Sequence, residues 1–397
     1  MKRRVLIVVQ RYGAEVTGGS EAHARLAANR LARTHAVEVA TTTALDYWTW
    51  AEHYSAGIAE VDGLRVHRFR VASGRDPAFK EFERRVLLEP HSLDDEEDWP
   101  RRQGPHSPEL LEFLHREGNG YDAILFYTYI YEPTVRGLPL VPERSALIST
   151  AHDEAPLRLA PYRALFHLPR ACGFLTPEER ALVRATFRNE QVPDVVLGIG
   201  LDAPPAHDAE AFRRTHGLDG PLIVYLGQVS EGKGCDELIA AWSEMREAPG
   251  APRGTLVLVG TVRMDLPARD DVVALGRVDD AEKFGALAAA DALVLPSRFE
   301  SLGIVLLEAW QAGTPVLVPA HNAVTAGQTR RSGGGIVYDS LPRTLRDVVS
   351  GGDGLRALGA RGRDWTLRES SMEAFDARLG ELVELASHEV EGTKSLR

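Results

Sequence analysis

Phe299-Glu300-Ser301-Leu302-Gly303-Ile304-Val305-Leu306-Leu307-Glu308-Ala309 is the segment around which the rest of the chain can be ordered. It follows Ala292-Leu293-Val294-Leu295, an apolar run that reads as a buried strand closed by Pro296 and Ser297. Ile304, Leu306 and Leu307 then begin a helical apolar face, with Gly313 past its end and Pro315 as its stop. Glu300 thus falls at the mouth of a helix, and Glu308 lies in its early turns. The N–H groups around Leu302, Gly303 and Ile304 have no partner inside such a helix, and the positive end of its dipole coincides with them, which suits phosphate. Two carboxylates beside a phosphate repel it unless they have another task. Accepting hydrogen bonds from sugar hydroxyls on either side is such a task, so the segment has the parts to hold a nucleotide-sugar.

Glu300 and Glu308 are followed by Ala309-Trp310-Gln311-Ala312-Gly313-Thr314-Pro315-Val316. This Glu-x7-Glu with an Ala-x-x-x-Gly-x-Pro-Val tail resembles the donor-site signature of family 4 retaining glycosyltransferases of the GT-B fold, the bacterial glycogen synthase and mannosyltransferase group. Two glutamates at this spacing also occur on solvated helix faces. The preceding strand and the Gly-Thr-Pro-Val tail make the pattern specific.

A chain of 397 residues exceeds one ordinary core and suits two domains of roughly 150–200 residues. With 44% hydrophobic and 26% charged residues, its composition is that of a soluble globular protein. A net charge of −11 argues against nonspecific nucleic-acid binding, which needs clustered Lys and Arg. Cys172 and Cys235 have no partner spacing, so neither a disulfide framework nor a zinc site is expected. Val5-Leu6-Ile7-Val8-Val9 after the basic head Met1-Lys2-Arg3-Arg4 is too short for a signal peptide and reads as a first parallel strand. No apolar run reaches the ~18 residues a membrane span needs. The expected location is the cytoplasm, with at most peripheral contact at the inner face of the membrane.

After that strand, Gly18-Gly19-Ser20-Glu21 opens a helix whose apolar face is Ala22, Leu26, Ala27 and Leu31, and 35–41 reads as a second strand. This unit resembles the start of the same glycosyltransferases, which implies that Gly18 and Gly19 let the backbone approach the donor phosphates and the acceptor. Plain turn chemistry at the two glycines is the other reading. Tyr47, Trp48, Trp50, His53 and Tyr54 are candidates for an acceptor wall, since aromatic rings stack on sugars, or for simple packing. Asp94-Asp95-Glu96-Glu97-Asp98 reads as a solvated loop and contains no strict Asp-x-Asp of the kind other sugar transferases use to hold a divalent cation. Residues 99–108 read as a Pro/Gly-rich loop before a helix from Glu109 to Arg116. Strands are expected over 63–69, 121–127 and 145–150, the last delivering His152 at its carboxyl end, where open α/β sheets place ligands. His152 resembles the family's histidine that contacts the donor sugar. A histidine bonded locally to Asp153 is the alternative. Gly173-Phe174-Leu175 reads as a strand leading to Thr176 as N-cap and Pro177 at the first helical position. Residues 195–202 resemble the family's hinge strand.

The second domain opens with a strand over 221–226, then Gly227-Gln228-Val229-Ser230-Glu231-Gly232-Lys233-Gly234 before a helix from Cys235 to Met245. In the resemblance an Arg and a Lys here clamp the diphosphate. Lys233 matches, whereas Gln228 stands where the family carries Arg and forfeits charge assistance. A lysine at a helix start is also unfavourable for the dipole, which points to a purpose for Lys233. Strands over 255–260 and 272–278 each end in a Gly loop, which the resemblance places around the nucleobase, through backbone near Arg277 and Val278; plain turn chemistry at either Gly is the other reading. A helix is expected over 282–290, a strand over 316–318, and a Gly-rich run from Ser332 to Tyr338 that resembles the family's C-terminal glycine segment.

Strands and helices alternate throughout, so the expected fold is α/β: two Rossmann-like, doubly wound parallel-sheet domains facing across a cleft. The domains are expected at 1–202 and 203–371, with a final helix at about 372–390 packing back on the first. The resemblance implies a metal-independent retaining transfer from a nucleotide-diphosphate sugar to a hydroxyl acceptor, with no cofactor beyond that co-substrate. It assigns Lys233, Glu300 and His152 to the chemistry, and Gly18, Gly19, Gln228, Arg277, Ser301, Leu302, Gly303, Ile304 and Glu308 to the donor. A GT-B epimerase or hydrolase, and a non-catalytic sugar-nucleotide sensor supported by Gln228, are the alternatives. A dinucleotide-dependent dehydrogenase is disfavoured because no Gly-x-Gly-x-x-Gly follows a strand.

Overall fold

The computed structural model describes residues 2–352 and 354–387. Residues 388–390 of the expected last helix and the tail from Gly392 to Arg397 lie outside them. The chain forms two compact units, one built from the chain up to Gly200 and again from Glu373 on, the other from Leu201 to Met372.

In the first unit, eight strands form one sheet: β1 (Arg4–Val8), β2 (Ala36–Thr42), β3 (Gly57–Val61), β4 (Leu64–Phe69), β5 (Ala123–Tyr127), β6 (Ser145–Ile148), β7 (Ala171–Phe174) and β8 (Asp194–Val196). Their order is β3-β4-β2-β1-β5-β6-β7-β8. All neighbours are parallel except β3 with β4, an antiparallel edge hairpin turned by Asp62 and Gly63. Val5, Leu6, Ile7 and Val8 are fully buried, as a central strand covered on both faces must be. Order reverses at β1, which pairs with β2 on one side and β5 on the other. The 372–387 helix (Met372–Ser387) buries Phe375, Leu379, Leu382, Val383 and Ala386 in this unit. His23 meets Phe375 edge-on at 5.3 Å, and Arg30 Nε bonds Asp376 at 2.7 Å.

The acidic run 94–98 is helical, not a loop, because it belongs to the helix Leu93–Gln103. Ser92 caps it reciprocally with Asp95, and the acids find cations: Asp95 with Arg85, Glu96 with His91, Glu97 with Arg136, and Asp98 with Arg101 and Arg102. Trp99 to Gln103, expected as loop, forms the last turns of this helix, and Trp99 is fully buried.

The second unit has six parallel strands: β9 (Leu222–Leu226), β10 (Thr255–Val259), β11 (Val272–Gly276), β12 (Ala292–Val294), β13 (Val316–Pro319) and β14 (Gly335–Tyr338), in the order β11-β10-β9-β12-β13-β14. The order turns at β9, flanked by β10 and β12. The loops leaving the carboxyl ends of β9 and β12 therefore open side by side at a switch point, where such sheets bind ligands.

Candidate active site

β12 is followed by Leu295-Pro296-Ser297, all buried, after which the chain runs out to exposed Arg298 and Phe299 and returns through Glu300 and Ser301 to buried Leu302 and Gly303. Gly303 takes a left-handed conformation (φ 72°), and the helix Ile304–Gln311 starts with no side-chain cap on its N–H groups. The loop is held from behind by the helix Ala323–Ser332. Gln328 Nε2 donates to Leu302 O at 2.5 Å, and the N-cap Asn322 donates to Ser297 O at 2.8 Å. The free donors at 302–304 thus sit on a braced loop.

The neighbouring loop, after β9, makes a short turn over Glu231–Lys233 and enters the helix Cys235–Glu247 through Gly234. Gly234 has φ +74°, and a Cβ there would lie 2.8 Å from Pro296 O. Only glycine lets this turn press against the β12 loop. The contact brings Lys233 Nζ to 2.9 Å from Glu300 Oε1. Glu308, on the helix that Gly303 opens, is partly buried and accepts from Lys283 Nζ at 2.8 Å. Burial pushes its carboxyl above the usual range, against the pull of the Lys283 ammonium. Lys283 also bonds Asp280 at 2.9 Å. Two strands away, Gly260 N–H donates to Gly276 O at 2.7 Å, and the turn after it carries Arg277, exposed, and Val278. Gln228 is exposed too, and its carbonyl accepts from Tyr225 Oη at 2.8 Å.

In the first unit the glycines of 18–19 differ. A Cβ on Gly18 would lie 2.2 Å from Glu21 Oε2, so a side chain there would displace the end of Glu21. Around Gly19 nothing lies within 4 Å. Of the aromatic candidates, Trp50 is fully buried with its Nε1 donating to Gln103 O at 2.8 Å, which makes it core rather than wall. Trp48 is 59% exposed beside Tyr47, their rings 4.3 Å apart.

His152 leaves the end of β6 and pairs through Nε2 with Glu154 at 3.3 Å, while Asp153 pairs instead with Arg158. Burial lowers the His152 pKa, but the hydrogen bond and charge of Glu154 outweigh it and the net direction is up. Glu154 also accepts from Tyr129 Oη at 2.7 Å. The strand end itself is tied by buried Glu179, which accepts from Ser149 Oγ, Ala151 N and Leu175 N. Burial, opposed by these three bonds, raises Glu179 to about 7. A carboxyl with a raised folded pKa binds its proton more tightly when folded. Its contribution is complete below the unfolded value of ~4.5 and is lost as pH climbs to about 7. Glu179→Gln is therefore expected to flatten the dependence of stability on pH over that window, read as urea midpoints at pH 4.5 and 7.5.

The structure thus brings Lys233, Glu300 and the 301–304 amides together and puts Glu308 on the same helix. Gln228 and Arg277 end neighbouring parts of the same sheet edge, while Gly18, Gly19 and His152 lie on the first unit. Lys283 was not singled out from sequence: among Asp280 and Glu282 it reads as a surface i,i+3 pair. Asn322 and Gln328 carried no readable signal either, because they act only through backbone carbonyls of another loop.

Two doubly wound sheets, the second carrying an ammonium, two carboxylates and bare amides at its switch point, have the make-up of a GT-B fold. The comparisons with known proteins agree. Residues 220–344 match the family model for glycosyl transferases group 1. The chain is 32% identical over 201 residues to a D-inositol 3-phosphate glycosyltransferase of Jonesia denitrificans, covering 46% of this chain and 45% of that one. It is 31% identical over 228 residues to a GDP-mannose-dependent alpha-(1-6)-phosphatidylinositol monomannoside mannosyltransferase of Mycolicibacterium smegmatis, covering 50% and 59%. The chain spans about half the length of these curated relatives. A sucrose-phosphate synthase from Thermosynechococcus elongatus superposes with a TM-score of 0.70 at 17% identity, over 96% of this chain and 98% of that one. The fold is GT-B, and the match to the model for glycosyl transferases group 1 lies within the second unit. Among the described residues, no helix is long and apolar enough to cross a membrane.

Proposed function

We propose that the protein is a retaining glycosyltransferase that moves a sugar from a nucleotide-diphosphate sugar to a hydroxyl acceptor, in polysaccharide, glycolipid or glycoside assembly on the cytoplasmic side. The observation that carries this reading is the meeting of Lys233 Nζ and Glu300 Oε1, 2.9 Å apart, in front of the uncapped helix that also bears Glu308. With a donor present, the ammonium turns to the diphosphate and stabilises the charge that grows as it leaves. Glu300, released from Lys233, accepts from sugar hydroxyls. The 301–304 amides hold phosphate oxygens, and Glu308 holds the ribose. The departing oxygen takes the acceptor's proton on the face it leaves, so the anomeric configuration is kept and no enzymic nucleophile is required. His152 contributes a hydrogen bond to the sugar. Lys233 and the amides supply the charge stabilisation that a divalent cation supplies elsewhere. A relative whose name specifies GDP-mannose supports a nucleotide-sugar donor, and relatives named for inositol phosphate and phosphatidylinositol acceptors support a hydroxyl acceptor.

The test is a transfer assay over nucleotide-sugar donors and hydroxyl acceptors, with the product anomer assigned by NMR. Expected are a retained anomer, a fall of at least about 100-fold in Glu300→Ala, and no change on adding EDTA. An inverted anomer, or activity lost to EDTA and restored by Mg²⁺, contradicts the mechanism. Free sugar released regardless of acceptor favours a hydrolase.

A further inference from the structure

Arg11 and Glu21 form an ion pair whose side chains are each only 5% exposed. Burying two opposite charges costs about as much as their attraction returns, so the fold gains little stability from the pair. Its geometry points to another use. Arg11 Nε and Nη2 both donate to Glu21 Oε1, at 2.9 and 2.5 Å, Nη1 donates to Leu45 O at 2.8 Å, and Nη2 also reaches Thr17 O at 3.2 Å. The guanidinium faces the rings of Tyr47 and Trp50, at 5.4 and 6.0 Å. Glu21 further accepts from Gln10 Nε2 and Ser20 Oγ, and its Oε2 fills the space where a Gly18 side chain would stand.

One planar cation therefore fastens three things at once: the first turn of the helix Gly19–Leu31, the Thr17 carbonyl next to Gly18, and the 45–50 segment. Those segments leave the carboxyl ends of β1 and β2, adjacent strands, on the ligand side of the sheet. Trp50 extends the connection to Gln103 O, and a Cβ on Gly104 would lie 2.8 Å from its ring.

We infer that Arg11 and Glu21 are positioning residues, whose buried pair fixes the Gly18–Gly19 turn and the Tyr47–Trp48 segment in one register for the acceptor. The inference rests on the proposed transfer reaction for its functional consequence, and on the hydrogen bonds alone for the coupling of the segments. Lysine at position 11 keeps the charge but presents a single point where arginine presents a planar fork, so it cannot hold all three partners.

The experiment uses the full chain with Arg11→Lys and with Glu21→Gln, each assayed well below its melting temperature. Hydrogen exchange is read for the amides of 17–22 and 45–50. Both segments are expected to exchange faster together, by about tenfold or more, while the second unit keeps wild-type protection. In steady-state assays kcat/KM for the acceptor is expected to fall about 10–100-fold, the scale of a misplacement near 1 Å. Nucleoside diphosphate affinity is expected to stay within about threefold of wild type, since Lys233, the 301–304 amides and Glu308, proposed to hold it, lie in the second unit, and the Gly18–Gly19 turn is inferred to serve the acceptor. Unchanged exchange in either segment overturns the coupling. Faster exchange with wild-type acceptor kinetics overturns the positioning role. Equal losses in nucleotide affinity and acceptor kinetics mark general damage and also overturn it. If the wild-type chain transfers no sugar, the proposed reaction fails while the exchange result still decides the coupling.

Discussion

Lys233→Ala is expected to lower kcat by about 10²–10³-fold, the loss typical of removing one preorganised stabiliser of developing charge. Lys233 sits beside Glu300 because Gly234 allows its turn to press on Pro296. Its side chain is 43% exposed in the pair, so breaking that pair costs the fold little, within ~1 kcal/mol. Activity and stability should therefore separate: a large drop in turnover with a melting temperature within about 2 °C of wild type. Lys233→Arg restores charge but not the compact point contact, and partial rescue is expected. Turnover of Lys233→Ala within threefold of wild type, under saturating donor, would remove the ammonium from the chemistry.

Trp310→Ala has the largest expected effect on stability, about 3–5 kcal/mol. Trp310 is fully buried on the helix Ile304–Gln311, donates from Nε1 to Gly334 O at 2.8 Å, and meets Trp365 edge-on at 5.5 Å. Gly334 and Gly362 press so close that a Cβ on either would come within 2.4 and 2.2 Å of the ring. Backbone on two sides cannot collapse into the vacated space, so a cavity remains and Gly334 O loses its partner. Because the same helix carries Glu308 and opens at Gly303, donor affinity should weaken along with the urea midpoint. A midpoint unchanged from wild type would mean the helix is not held this way.

Much of the architecture is legible in the chain. Val5-Leu6-Ile7-Val8, Ala123 to Tyr127 and Leu222 to Leu226 are short apolar runs, each followed by loop and helix signals, and all three are parallel strands. What stays hidden has physical reasons. The acidic helix at 93–103 looks like solvated loop because its stability lies in a capping box and in cations as distant as Arg85 and Arg136. The strand Gly57–Val61 is a half-exposed edge that lacks the apolar run of its neighbours, so nothing marks it before β4 is seen to pair with it. At the site, Lys233 and Glu300 stand out because each follows a readable strand. Lys283 does not, since its role depends on two helices meeting. Trp50 reads as a surface aromatic until Gln103 is found above its indole nitrogen. Gly18 reads as a ligand-facing glycine, yet the space its side chain would take is filled by the Glu21 carboxylate.

In the proposed reaction the second unit grips a nucleotide-diphosphate sugar with Lys233, the 301–304 amides, Glu300 and Glu308. Calorimetric titration of wild type and Glu308→Ala with a panel of nucleoside diphosphate sugars tests it most directly. Saturable one-to-one binding of at least one of them is expected, weakened about tenfold or more in Glu308→Ala as a charged hydrogen bond to the ribose is lost. No binding across the panel, or equal affinity in the variant, would contradict it.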